Sequence, residues 1–147
     1  MVLKSNYKNF LLEQLFVKKI QKKGKLFKSK KILNKTFKLI NKKNFYNNNI
    51  LEIIIKKLKF SIKLIYKRVL GSVYQIPIKI SLKKSISLAI KLILISINKQ
   101  KKNMKFDKLL YLEFLNILNN EGLSLQQKHI FLKKALSFRV FSHLIKY

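Results

Sequence analysis

The sequence predicts a mainly α-helical protein: about six helices and one two-stranded β-hairpin. Three observations lead there. Apolar residues recur three and four positions apart through most of the chain. Between Ile62 and Ile80 that spacing drops to two. The chain has only 3 glycines and 1 proline, yet Gly71 and Pro77 both fall inside this one stretch.

Each element follows from its own spacing. NFLLEQLFVKKIQKKG carries Leu11, Leu12, Leu15, Phe16 and Ile20 at helical intervals, and Gly24 is placed to end the helix. KSKKILNKTFKLINK has one apolar stripe, Ile32, Leu33, Phe37 and Ile40, with lysines over the rest. NKKNFYNNN is polar and asparagine-rich and reads as a loop. NILEIIIKKLKF reads as a third, short helix, although isoleucine also suits strands.

The period then changes. Ile62, Leu64 and Tyr66 share one face, and Tyr74, Ile76, Ile78 and Ile80 share one face of the returning segment. A Gly71–Ser72 turn signal lies between them, so residues 61–80 read as a hairpin. Pro77 is compatible with this because a two-stranded ribbon has only edge strands. LKKSISLAIKLILISINKQKK returns to helix, with Ile86, Ile90, Ile93 and Ile97 at four-three-four spacing. MKFDKLLYLEFLNILNNEG is a further helix, with Asp107 in its first turn and Gly122 just past its end. The last helix spans SLQQKHIFLKKALSFRVFSHLIKY. Ser124 and Gln127 have capping-box spacing there, and Leu132, Ala135, Leu136, Phe138 and Phe141 form the apolar face.

At 147 residues the expectation is one domain, 1–147. Its charge decides the partner class. There are 34 Lys+Arg against 5 Asp+Glu, a net +29 at pH 7. A polyanion must neutralise that self-repulsion, and poor stability is expected without one. Nucleic acid is the usual partner; a membrane surface is the other candidate. No acid lies between Glu13 and Glu52 or between Glu52 and Asp107, so charge is polarised along the chain. One side is expected to face an anion, and a less basic side to meet solvent or protein.

Other classes lose support. With 0 cysteines and 2 histidines, His129 and His143, neither a disulfide framework nor a metal site is expected. The N-terminus lacks a secretory h-region. The longest apolar run, SISLAIKLILISI, carries Lys91 and is well short of the ~20 residues of a membrane span. Nucleophile motifs and glycine-rich phosphate loops are absent, and the acids are scattered. No catalytic residue, cofactor or small-molecule substrate is therefore expected. Lysine far outnumbers arginine, and Ile, Asn, Phe and Tyr are abundant. That bias points to an AT-rich gene, such as an organelle's; it is an inference from composition and not from physics.

The run GSVYQIPIKI resembles the hairpin signature of ribosomal protein seven of the small subunit. Gly71, Ser72, Tyr74, Gln75 and Pro77 match; Lys83 and Lys84 stand at the family's basic pair, and Leu88 and Ala89 match the helix that follows. Gly122, Lys128, Lys133, Ala135, Arg139, Phe141 and His143 fit the family's last helix in order. FVKKIQKKGKLFKSKKIL resembles its first helix, glycine turn and second helix. The likeness runs roughly from Asn9 to Tyr147. Departures are Leu70 for one glycine of the usual pair, Ser81 for an arginine, Phe60 near a usual proline, and a basic tail reduced to MVLKSNYKN.

The resemblance implies a structural constituent of the small ribosomal subunit that is not an enzyme. By the same likeness it binds the 3′ major (head) domain of the small-subunit rRNA and nucleates head assembly. Its hairpin arm lies near the exit-site tRNA and the mRNA exit, and it touches neighbouring head and platform proteins, with no membrane involved. In this reading Gly71 permits the tight turn and Pro77 stiffens the arm, while Tyr66, Tyr74 and the isoleucines pack its base on the body. RNA contacts are expected at Lys22, Lys23, Lys25, Lys67, Arg68, Lys83, Lys84, Lys128, Lys133 and Arg139. Lysines supply point charges for phosphate; Arg68 and Arg139, the only arginines, can fork two acceptors or stack on a base. Tyr74 either stacks on a base or packs at the arm's base. The AT-rich bias suggests a mitochondrial member, with plastid as the alternative. The competing reading is a free-standing organellar nucleoid protein.

Overall fold

A computed structural model of the chain describes residues 2–41, 49–100 and 103–146, with side chains described for 10–41, 49–100 and 103–144. Helices α1 (Val2–Ile20), α2 (Leu26–Asn41) and α3 (Ile50–Leu58) precede strands β1 (Ile62–Val69) and β2 (Ser72–Lys79). Helices α4 (Leu82–Lys99), α5 (Phe106–Leu118) and α6 (Leu123–Ser137) follow, and a 3-10 helix (Phe138–Lys146) closes the chain. The expected six helices and one hairpin are all present. The asparagine-rich loop falls, over residues 42–48, outside the described residues.

The apolar stripes converge on one core. Phe16 of α1 and Phe114 of α5 meet edge to face, with ring centroids 5.7 Å apart. Around them are buried Leu33 and Ile40 of α2, Ile54 and Leu58 of α3, Ile90, Ile93 and Ile97 of α4, and Leu110 and Ile117 of α5. Each such side chain contributes ~1.5–3 kcal/mol on leaving water. The four-three-four isoleucines of α4 behave as their spacing predicts: three are buried, and Ile86 packs against the cluster from its edge.

The hairpin corrects two sequence expectations. First, the turn is Leu70–Gly71, and Ser72 already pairs with Val69. Both turn residues take positive φ, 48° at Leu70 and 85° at Gly71, as a two-residue turn matched to strand twist demands. Leucine is a poor choice there, since a left-handed side chain costs ~1–2 kcal/mol. Second, the covered face of β1 is the one bearing Ile65 and Lys67. These lie opposite Ile76 and Tyr74, and Ile76 is fully buried. Ile62, Leu64 and Tyr66 point the other way, and Tyr66 is 73% exposed, so it does not pack the arm on the body. β1 is apolar at both parities, Leu64 and Ile65 being adjacent, so alternation alone does not name the inner face.

The C-terminus holds two further corrections. Instead of one helix, α6 stops at Ser137 and tightens into the 3-10 helix. With three residues per turn, Phe138, Phe141 and Leu144 fall in one row, all half-buried. Phe141 meets Tyr74 of β2 at 5.2 Å and Phe138 at 6.4 Å. Leu136, expected on the apolar face, is 66% exposed. The expected capping box is also replaced. Gly122 takes the N-cap position, and buried Glu113 of α5 accepts hydrogen bonds from the Ser124 N–H (2.9 Å) and hydroxyl. Its other carboxylate oxygen accepts from Gln100 Nε2. One buried acid thus joins the end of α4, the middle of α5 and the start of α6.

Candidate nucleic-acid interface

The chain reversal after α1 builds a basic trough in the body. Lys23 and Gly24 both take positive φ, 51° and 72°, which folds α2 back beside α1. Lys22 and Lys25 then stand next to Lys28 on α2, with Ile20, Ser29, Ile32 and Phe106 completing the hollow. A second hollow shares Lys28, Ile32 and Phe106 and adds Lys31, Lys35, Lys105 and Asp107. The two hollows adjoin at Lys28, Ile32 and Phe106, and together they form a channel lined by lysines and by one acid, Asp107. Lys28, Lys31 and Lys35 reach it because three-and-four spacing puts them on one flank of α2.

Such a channel suits a nucleic-acid backbone. Its cations are solvated and closely spaced, so a phosphate chain releases counterions on entering it. Of the expected contacts, Lys22 and Lys25 line the trough. Lys23 is exposed beside it in the turn. Sequence reasoning missed Lys28, Lys31 and Lys35, which it read only as the lysine cover of the second helix, and it missed Lys105 ahead of α5. The signal that could have found them is the 28–31–35 stripe.

The remaining expected contacts lie on the arm, at the start of α4 and on the C-terminal elements. Arg68 is exposed opposite Val73, one residue pair from the turn. On the same outer face Tyr66 is held by Gln75, whose Nε2 donates to the phenol oxygen at 3.2 Å. Lys83 and Lys84 are exposed in the first turn of α4, directly after β2. Ser81 at that N-cap makes no side-chain capping bond, so the positive end of the helix dipole is open beside both lysines. Lys133 on α6 and Arg139 on the 3-10 helix are exposed as well. His143 turns Nδ1 toward the Val140 carbonyl at 2.7 Å, a local contact.

Two expected contacts also hold the fold together. Lys67 is half-buried and donates to the Leu144 carbonyl at 3.3 Å, pinning the C-terminal segment to β1. Lys128 donates to the Lys57 carbonyl near the end of α3, and burial lowers its pKa from the usual lysine range. Lys57 in turn donates to the carbonyls of Ile117 and Leu118 at the end of α5 (3.3 and 2.7 Å). An ammonium is well placed at a helix C-terminus, where unpaired carbonyls carry partial negative charge. For Tyr74 the structure selects packing, on Phe141. Gly71 makes the turn, Ser72 opens β2, and Pro77 lies opposite Leu64.

Residues 1–139 match the family model described as ribosomal protein S7p/S5e. The chain belongs to that family. Among similar curated proteins, the small ribosomal subunit protein uS7 of Syntrophus aciditrophicus is 30% identical over 138 residues, covering 93% of this chain and 87% of that protein. The uS7 of Rickettsia akari is 29% identical over 141 residues, covering 92% of this chain and 84% of its own length. That of Dictyoglomus thermophilum is 26% identical over 136 residues, with 92% and 86% covered. The resemblance first seen in GSVYQIPIKI thus extends along the chain. The S7 family is structural, so this S7-family chain is not an enzyme.

Proposed function

We propose that this chain holds ribosomal RNA in the head of the small ribosomal subunit, as one domain with an RNA-binding trough and a projecting arm. As a member of the S7 family it is a structural constituent of that subunit. The trough of Lys22, Lys25, Lys28, Lys31, Lys35 and Lys105 takes RNA backbone of the 3′ major domain and so nucleates folding of the head. Lysine reads charge and not sequence, so RNA shape supplies the specificity. Lys83, Lys84, Lys133 and Arg139 extend the contact along the base of the arm. Exposed Tyr66 and Arg68 face the exit-site tRNA and the path of exiting mRNA, where unstacked bases suit an aromatic ring and a guanidinium. Neighbouring head and platform proteins cover less basic surface. The lysine-rich, AT-biased composition favours a mitochondrial subunit.

The family match, which spans 1–139, carries this reading. Sucrose-gradient sedimentation of the organelle extract tests it, run at low salt and again at about 0.5 M, where loosely held phosphate binders dissociate. The expected result is co-sedimentation with the small subunit at both salts. A protein that washes off, or never enters that peak, overturns the reading and brings a nucleoid or membrane-surface role to the front.

A further inference from the structure

On the flank of α2 turned away from the trough lies a different kind of hollow. A groove of about 410 Å³ between α1 and α2 is lined by Phe10, Val17, Leu26 and Leu33, with Glu13 set among them. Phe10 is 57% exposed and Leu26 41%, so an apolar surface stands open to solvent. Helical geometry separates the two hollows: Leu26, Lys30 and Leu33 lie roughly half a turn around α2 from Lys28, Lys31 and Lys35.

Glu13 is the unusual residue. It is the only acid before Glu52 in a chain of net charge +29. It is half-buried, burial raises its pKa above the ordinary carboxylate value, and among the described residues its side chain makes no ion pair or hydrogen bond. Lys18 and Lys30 also line the groove, but neither forms an ion pair with it; the ion pair of the neighbouring acid, Glu52 with Lys56, lies on α3. A carboxylate left unpaired against apolar walls carries a desolvation cost that an incoming cation would remove.

We propose that this groove docks a basic segment of a neighbouring small-subunit protein, which inserts an apolar side chain between Phe10 and Leu26 and sets an adjacent lysine or arginine against Glu13. The inference rests on the small-subunit reading. It assigns the two flanks of α2 opposite tasks: lysines of one flank hold RNA, and the other flank, which lines the groove together with Glu13 of α1, holds protein.

Site-specific photocross-linking tests this. Exposed Gln14 lines the groove, and its replacement by p-benzoylphenylalanine puts the probe there in subunits that incorporate the full chain. Sedimentation before irradiation reports whether the chain is in the small subunit. The expected product is an adduct with a second protein, at a peptide carrying lysine or arginine beside an apolar residue. Glu13→Lys should lower its yield by about tenfold and Glu13→Gln by less, because a desolvated charge pair depends on both partners. An adduct with rRNA, no adduct, or a yield indifferent to Glu13→Lys overturns the inference while the small-subunit reading stands. Absence of the chain from the subunit peak removes both.

Discussion

The helical body and the hairpin arm carry a similar density of positive charge but are built differently. In the body, Lys28, Lys31 and Lys35 project from α2, whose other face enters a core shared by α1 through α5, and Lys22, Lys25 and Lys105 stand at the ends of helices packed on that core. Their positions follow from dense packing. The arm has one fully buried side chain, Ile76, and a few ties: Tyr74 on Phe141, Lys67 on the Leu144 carbonyl, Phe60 on Phe131 at 4.9 Å, and Ser85 on the Phe60 carbonyl. A rigid array of point charges suits affinity. A ribbon held at its base suits reach. The comparison teaches that basic residues alone do not define an interface; the stiffness of what carries them decides what they can do.

The largest expected effect breaks the body. Phe114→Ala removes the ring that Phe16 packs against and should cost ~3–5 kcal/mol, lowering the melting temperature and abolishing rRNA binding by the free protein. Next comes the trough. Replacing Lys28, Lys31 and Lys35 together by alanine should flatten the salt dependence of rRNA affinity by ~1 log unit per lysine, read as the slope of log affinity against log salt. Arg68→Ala should leave that slope nearly unchanged if the arm adds reach rather than backbone affinity. An equal loss of slope from Arg68→Ala would erase the distinction between the regions.

Smaller effects sharpen the arm. Phe141→Ala should loosen the hairpin by ~1–2 kcal/mol, seen as faster hydrogen exchange in β1 and β2 with α1 through α5 unaffected. Exchange that quickens throughout would mean that arm and body unfold as one unit. Leu70→Gly should stabilise the arm by ~0.5 kcal/mol. It relieves a left-handed leucine at φ 48°, and glycine's greater unfolded-state freedom offsets part of the gain.

Last is a pH effect in the body. Burial raises the Glu13 pKa in the folded chain, so protonation favours folding there. That contribution is complete below the unfolded pKa and is lost as pH rises through the folded value. Glu13→Gln should therefore be slightly more stable than the parent at neutral pH, and the difference should vanish in acid. Thermal melts of both proteins across pH check this; a constant difference would place the effect elsewhere.

Much was legible in the sequence because it is local. Phe16, Leu33, Ile93 and Phe114 announce themselves by helical spacing, and Gly71 and Pro77 by scarcity. The charge asymmetry needs no coordinates, and the family likeness needed only the short run after Leu70. What stayed hidden depends on which surfaces meet. The inner face of β1 is set by the segment that covers it. The Leu70–Gly71 turn follows from strand register. The cap of α6 comes from Glu113, eleven residues before Ser124. Even the 3-10 row of Phe138, Phe141 and Leu144, visible in hindsight as a period of three, needs β2 to reward it.

The sequence by itself therefore determined the elements, the charge and the family, since periodicity and composition act along the chain. Only the tertiary structure decided which lysines form a channel, which ones tie helix ends, and that Glu13 sits half-buried in an apolar groove. Those outcomes depend on packing between distant segments, and no local pattern records what a side chain will face.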